Sequence, residues 1–194
     1  MSPADGRRRK KEKANGTMSN THNPYDKNEK TVAGYTKKRY NEHMHRILFV
    51  CHGNICRSPM AEFIMKDAVR RAGCARDFEI ASAATSTEEL GHDTHPGTKQ
   101  QLDAHGIPHT PRRARQLTAH DGAHYDLLIG MDGENRFYMR RICGTDAEHK
   151  IHLLLEYCGE SRDVADPWYT GNFTQTFADI DRGCRALLAA LTKQ

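Results

Sequence analysis

Residues 50–59, VCHGNICRSP, place two cysteines, a glycine and an arginine between an apolar run and a Ser-Pro pair. The run RILFV (46–50) is typical of a buried strand, whereas Ser58 as N-cap and Pro59 in the first turn indicate a helix start. A tight loop between a strand and a helix directs backbone N–H groups and the positive end of the helix dipole at one point. The stretch therefore predicts an anion site that fits phosphate.

Cys51 lies at the base of this loop, where the amides, the dipole and Arg57 favour the thiolate over the thiol, and Ser58 can donate a hydrogen bond to its sulfur. A thiolate beneath a phosphate site predicts attack on phosphorus, with Arg57 stabilising the charge of the transferring group. A buried cysteine after a strand is often only packing, but the strand, the glycine and the helix start together favour a site. The predicted phosphate-binding residues are His52, Gly53, Asn54, Ile55, Cys56 and Ser58.

Transfer from an ester oxygen also needs an acid. The stretch VADPWYTGNF (164–173) supplies Asp166, on a predicted loop before the last helix and at the same edge of the sheet. The Asp-Pro pair is equally typical of a simple turn start. Trp168 and Tyr169 are expected to line the entrance and to stack on a flat substrate ring.

Four short apolar runs predict strands at 46–50, 78–83, 126–131 and 150–156, separated by amphipathic stretches. This alternation predicts β-α-β units around a parallel sheet. Apolar residues recur at helical spacing between 61 and 72 and again from Phe173 to Leu191, with Cys184 on the core face of the last helix. Further helices are expected near 96–105, 116–123 and 133–142.

The positive charge is concentrated at the N-terminus. Residues 1–46 carry twelve Lys/Arg against five Asp/Glu, whereas the remainder carries 17 against 20. We expect residues 1–44 to form a disordered basic tail and residues 45–194 to form the folded domain. The tail also admits binding to nucleic acid or to a membrane surface, although such tails are more often only solvated, so nucleic acid is an unlikely partner.

The chain contains no apolar segment long enough for a secretory signal or a membrane span, so we expect a soluble, cytoplasmic protein. Its six cysteines show neither disulfide-framework density nor a paired C-x-x-C, which favours free thiols. Its twelve histidines are scattered, without a neighbouring carboxylate or thiol constellation, so we expect no metal and no other cofactor.

The segments VCHGNICRSPMAE, SAATS, HGI…ARQLT, GMD and DPWYTGNF, in this order and spacing, resemble the low-molecular-weight protein tyrosine phosphatases over about residues 46–191. The resemblance implies a three-layer α/β fold, a four-stranded parallel sheet with helices on both faces. It also implies that Cys51 takes the phosphoryl group, that Arg57 holds it and that Asp166 protonates the leaving oxygen and then activates water. Ser82 is implied to support the loop together with Asn54, and Cys56 to bond Cys51 under oxidation.

Two departures from the family concern the pocket wall and the supporting network. A Trp-His pair of many members is replaced by TSTEELGHDTHPGT, and a histidine of eukaryotic members is replaced by Arg112 or Arg113. Phosphotyrosine proteins are the expected substrates, and a bacterial tyrosine kinase is a possible partner. Two alternatives share the fold: an arsenate reductase, disfavoured because Cys143 and Cys158 are fifteen residues apart, and a protein-arginine phosphatase, disfavoured by Ile55.

Overall fold

The structure, a computed structural model, describes residues 44–193. Its strands are β1 (His45–Cys51), β2 (Phe78–Ala84), β3 (Leu127–Gly130) and β4 (Ile151–Leu153). They form one parallel sheet in the order β2-β1-β3-β4. The predicted tail, residues 1–44, falls outside the described residues except for Met44.

In the part of the chain that the structure describes, six α-helices connect or follow the strands: α1 (Arg57–Arg71), α2 (Pro96–Ala104), α3 (Ala119–His124), α4 (Gly133–Cys143), α5 (Pro167–Thr170) and α6 (Phe173–Thr192). Short 3-10 helices cover Ala75–Asp77, Thr145–Lys150 and Leu154–Cys158. No helix within residues 44–193 is long and apolar enough to cross a membrane.

Strand β1 shows why the fold has three layers. Its side chains alternate between two hydrophobic clusters because successive residues of a strand point to opposite faces. Ile47 and Phe49 belong to the cluster that contains the buried faces of α1 and α6. Leu48 and Val50 belong to a second cluster with Met139 of α4. The predicted four-stranded sheet with helices on both faces is confirmed.

The last helix packs as its sequence pattern predicts. Phe177, Ile180, Cys184 and Leu187 are buried along one face of α6, and Phe173 and Leu191 pack against the same cluster at the two ends. Cys184 is fully buried, as expected for a core residue.

The fourth strand is shorter than the apolar run that predicted it. β4 ends at Leu153, and Leu154–Cys158 is a 3-10 helix instead of strand. The Glu156 carboxylate accepts a hydrogen bond from the backbone N–H of Leu153 at 2.9 Å, which turns the chain after three strand residues. Leu154 and Leu155 are still buried in the core, so their apolar character reflects packing and not sheet pairing.

Candidate active site

The predicted phosphate loop lies at the carboxyl edge of the sheet. Cys51 ends β1 and α1 begins at Arg57, so residues 52–56 make the whole connection. The chain continues from β1 to β2 on one side and later returns to β3 on the other side of β1. In α/β sheets such a switch point is the usual position for a bound ligand.

Asn54 holds the loop in shape from below. Its backbone adopts a left-handed conformation with φ 58°, which asparagine tolerates better than most residues. Its side chain is fully buried, and the amide donates to the hydroxyls of Ser58 at 2.8 Å and Ser82 at 2.9 Å. The amide oxygen accepts from Arg112 at 2.7 Å and from the Arg115 backbone N–H at 3.2 Å. The side chain thus uses all its usual donors and acceptors.

Ser58 faces Cys51 instead of capping the helix, so the N-cap prediction was wrong. The N-cap is Cys56, which makes no side-chain cap bond. The Ser58 hydroxyl lies 3.1 Å from Cys51 Sγ and accepts from Asn54. Its own O–H has two acceptors within reach, the Cys51 sulfur and the Ala83 carbonyl at 3.4 Å.

Arg57 is the buried cation of the site, with a side chain 3 % exposed. Nη1 donates to Asp132 at 2.5 Å and to the Val164 carbonyl at 3.2 Å, and Nη2 pairs with Asp166. Burial lowers the pKa of Arg57, but the charges of Cys51, Asp166 and Asp132 outweigh it and raise the pKa above its usual value. Nε is buried without a hydrogen-bond partner among the described residues.

Asp132 was missed as a functional residue, although it stands in the GMD segment. One carboxylate oxygen caps α4 by accepting from Asn135 N–H at 2.6 Å, and the other binds Arg57. Its position just after β3 and just before a helix was the available signal, since acidic residues at this place often act as N-caps. Its pairing with Arg57, 75 residues away, had no signal in the sequence.

Asp166 both starts a turn and reaches the candidate site, the two interpretations that the Asp-Pro pair allowed. It caps the short helix α5, accepting from Trp168 N–H at 3.0 Å, so it does start a turn. Its other oxygen contacts Arg57, which brings it to the cleft that contains Cys51. The structure therefore brings the three predicted catalytic residues together.

A cleft opens above the loop. Trp168 and Tyr169 stand at its rim with 58 % and 84 % of their surface exposed, as predicted for entrance residues. Of the predicted loop residues, Asn54 and Ser58 lie behind the cleft as supports and do not line it. The lining residues are Cys51, His52, Gly53, Ile55, Cys56, Arg57, Glu88, Glu89, Asp166, Trp168 and Tyr169.

Glu88 and Glu89, from the segment TSTEELGHDTHPGT, form one wall of the cleft. Glu88 lies 3.1 Å from His52, and Glu89 lies 2.7 Å from His92. Glu89 also packs on Gly53: a Cβ at Gly53 would approach Glu89 Cγ to 2.9 Å. A glycine is needed here because the wall rests directly on the loop backbone.

The cysteines differ in their surroundings. Cys56 is buried near Cys51, and burial, followed by the charge of Cys51, raises the pKa of its thiol to about 12. Cys143, whose thiol pKa burial raises to about 11, and Cys158 do not line the cleft. All six cysteines are free.

Ser82, which the resemblance implied as a support of the loop, lies next to Asn54. Its hydroxyl accepts from Asn54 and donates to the Glu62 carboxylate at 2.6 Å. Within residues 44–193, no three His, Cys, Asp or Glu side chains group as ligands for a metal ion.

Comparisons with known proteins agree with this geometry. The family model for low molecular weight phosphotyrosine protein phosphatases matches residues 46–194. The chain is 39% identical over 150 residues to the low molecular weight protein-tyrosine-phosphatase YfkJ of Bacillus subtilis, an alignment covering 76% of this chain and 96% of YfkJ. It is 38% identical over 130 residues to the low molecular weight phosphotyrosine protein phosphatase of Schizosaccharomyces pombe, covering 66% and 83% of the two chains.

Solved structures give the same result. The crystal structure of YfkJ superposes with a TM-score of 0.76 over 79% of this chain and 99% of that chain. The low molecular weight protein tyrosine phosphatase of Streptococcus pyogenes, 37% identical, superposes with a TM-score of 0.71 over 78% and 95%. Sequence, fold and loop geometry agree, and the chain belongs to the low molecular weight phosphotyrosine protein phosphatase family.

Proposed function

We propose that Cys51, Arg57 and Asp166 carry out the protein-tyrosine-phosphatase reaction of this family in two steps. The chain is a protein-tyrosine phosphatase by its family, and its own residues must supply a nucleophile, a phosphate ligand and an acid. The observation that supports the assignment is that these three side chains converge on one cleft at the carboxyl edge of the sheet.

In the first step the Cys51 thiolate attacks phosphorus. The S–P bond forms, the bond from phosphorus to the tyrosyl oxygen breaks, and Asp166 gives that oxygen a proton. The loop amides and Arg57 bind the equatorial oxygens, and the unpartnered Nε of Arg57 is a donor left for them.

In the second step water completes the reaction. Asp166, now a carboxylate, accepts a proton from a water molecule that attacks phosphorus. The S–P bond breaks, inorganic phosphate leaves and the Cys51 thiolate is restored. Ser58, at 3.1 Å, stabilises the thiolate as the leaving group by donating its O–H.

The cleft favours an aromatic phosphoester. Ile55 is a buried apolar residue of its lining, and Trp168 and Tyr169 stand exposed at the rim, so a tyrosyl ring finds apolar contacts from floor to entrance. A phosphoarginine phosphatase and an arsenate reductase are not favoured, because the relatives are protein-tyrosine phosphatases and no third cysteine lines the cleft.

The test compares hydrolysis of phosphotyrosyl, phosphoseryl and phosphoarginyl peptides, with arsenate reduction in parallel. We expect wild-type enzyme to prefer phosphotyrosine and Cys51→Ser to be inactive. Cys143→Ser, which removes a thiol outside the cleft, is the matched control and should keep full activity. Activity in Cys51→Ser, or a preference for another substrate, would contradict the proposal.

We also propose that residues 45–194 form the phosphatase domain and that it works in the cytoplasm, on phosphotyrosine proteins that include a bacterial tyrosine kinase. The free thiols support a reducing compartment, since the nucleophile must stay reduced. A substrate-trapping Cys51→Ser protein incubated with cell extract would identify the phosphoproteins. Recovery of no tyrosine kinase would contradict the kinase assignment alone.

A further inference from the structure

His95, at the start of α2, makes aromatic contacts with the segment that carries Asp166. Its imidazole stacks on the ring of Phe173, with centroids 5.0 Å apart and planes 8° apart. It also meets the ring of Trp168 edge to face, with centroids 6.0 Å apart and an interplanar angle of 78°. Both separations lie in the range of favourable aromatic contacts. One side chain of α2 therefore contacts both α5 and the start of α6.

We propose that His95 is a positioning residue for acid catalysis: its imidazole, fixed at the start of α2, holds Trp168 and Phe173 and thereby keeps Asp166 at the cleft. The proposal rests on the proposed function, in which Asp166 is the acid. His95 does not line the cleft, so it acts through the two aromatic residues and not on the substrate.

His95 is itself held by its ring and by its backbone. It is the N-cap of α2, and its Nδ1 accepts a hydrogen bond from the Gly97 N–H at 3.1 Å. Its own backbone N–H donates to the Ile55 carbonyl at 2.9 Å. Because Nδ1 is engaged at the cap, the orientation of the ring is fixed, and its face and edge are available to the two aromatic residues.

Phe173 gives the imidazole a firm surface to stack on. Gly97 lets the phenyl ring lie against the first turn of α2, because a Cβ at Gly97 would lie 2.7 Å from Cε2 of that ring. Phe173 also packs against a small buried cluster of Ile55, Cys56 and Ala114. The ring therefore has close neighbours besides His95.

The segment that carries Asp166 is short and largely exposed. α5 has four residues, so its stability depends on tertiary packing, and every residue from Trp168 to Asn172 is exposed. Before this stretch, Pro167 is buried and Asp166 pairs with Arg57. The contact of Trp168 with His95 therefore adds an anchor within the exposed part of the segment.

The experiment separates the ring of His95 from its cap. His95→Asn keeps a good N-cap residue but removes both ring contacts, whereas His95→Phe keeps a ring and removes the cap acceptor. His105→Asn is the matched control. His105 follows the last residue of α2 and stacks on Phe177, with ring centroids 3.8 Å apart, so it joins α2 to α6 at the other end of α2.

Two quantities are measured: kcat/KM for phenyl phosphate and for 4-nitrophenyl phosphate, and the fluorescence anisotropy of Trp168, the only tryptophan of the chain. A displaced acid costs most where the leaving group is poor. We expect His95→Asn to lower kcat/KM about tenfold or more on phenyl phosphate but no more than about threefold on 4-nitrophenyl phosphate. The anisotropy of Trp168 should fall in the same variant.

His95→Phe and His105→Asn should stay near wild type in the anisotropy and in the ratio of the two kcat/KM values. Because both substrates are measured on the same protein, this ratio does not depend on how much of a variant is folded. In the double variant His95→Asn/Asp166→Ala, kcat/KM on phenyl phosphate should equal that of Asp166→Ala alone, since His95 acts through that acid.

Four results would overturn the proposal: equal losses on the two substrates in His95→Asn, wild-type anisotropy in that variant, equal effects of His95→Asn and His95→Phe, or a further loss in the double variant. If Asp166→Ala itself lost no more on phenyl phosphate than on 4-nitrophenyl phosphate, the proposed function would fail instead. The anisotropy would then still decide whether His95 holds the segment.

Discussion

Asp132 offers a test of how the site holds its phosphate ligand, because it makes two bonds that substitutions can separate. Its Oδ1 caps α4 and its Oδ2 pairs with Arg57. Asp132→Asn can keep the oxygen that caps α4 but turns its amide NH2, a donor, towards Arg57, so it removes the charged bond alone, whereas Asp132→Ala removes both bonds. Glu134→Gln, an exposed change in the first turn of the same helix, is the control.

The expected magnitudes follow from these contacts. A hydrogen bond to a charged group contributes about 1.5–3 kcal/mol, so Asp132→Asn, which loses the bond to Arg57, should lower the free energy of unfolding by about 1.5–3 kcal/mol. Loss of the cap adds about 1 kcal/mol in Asp132→Ala. The cost stays below that of an abandoned buried charge, about 3–5 kcal/mol, because Asp166 and the Val164 carbonyl still bind Arg57.

The assay is urea unfolding together with steady-state hydrolysis of 4-nitrophenyl phosphate. With one of its two carboxylate partners lost, Arg57 is less well oriented, and kcat/KM should fall by about 10- to 30-fold in both Asp132 variants. Two results would refute the reasoning: wild-type kcat/KM in Asp132→Asn, or equal stability of the Asn and Ala variants, which would mean that the cap contributes nothing.

Three further outcomes are expected. Asp166→Ala should lose far more rate on phenyl phosphate, a poor leaving group, than on 4-nitrophenyl phosphate, and equal losses would mean that the acid is another residue. In peroxide, the Cys51 sulfenic acid should condense with the Cys56 thiol to a disulfide and water. Thiol reagents should therefore restore activity in wild type but not in Cys56→Ser. Mass spectrometry detects the disulfide, and its absence would contradict the pairing. Because Glu88 and Glu89 line the cleft, phosphotyrosyl peptides with flanking lysine should react faster than those with flanking glutamate by a factor of about two to five. The double variant Glu88→Gln/Glu89→Gln should abolish this preference. An unchanged rate ratio in the double variant would exclude the two glutamates as the cause of the preference.

The fold was predictable because its signals are local. The spacing of apolar residues in a strand or a helix reflects which of its faces are buried. The observed bounds of β1, α1 and α6 agree closely with the segments that this spacing predicted. The run KIHLLLE misled the prediction of β4 because the burial of Leu154 and Leu155 looks the same in sequence whether the chain is strand or 3-10 helix. Only the contact of Glu156 with the Leu153 amide decides between them.

The site was predictable to the extent that it lies within one loop. Cys51, Arg57 and the residues between them are adjacent in sequence, so their chemistry shows in their spacing. The partners of Arg57 and Asn54 do not, since Asp132, Asp166 and Arg112 are 75, 109 and 58 residues away from them. Those contacts depend on which strand lies next to β1, and no local pattern encodes that order.

The long-range partners also explain how a buried arginine can remain in place before substrate arrives. Burying a guanidinium that is only 3 % exposed would cost folding free energy without countercharges. Asp132 and Asp166 supply these countercharges. The two carboxylates are not held equally firmly. Asp132 caps the 11-residue helix α4, whereas Asp166 caps a helix of four residues beside two exposed aromatic side chains. An incoming phosphate dianion therefore displaces Asp166 more easily than Asp132. In the proposed mechanism this exchange also releases the Asp166 carboxyl, the assigned acid, from its ion pair with Arg57, so that substrate binding and acid catalysis are coupled.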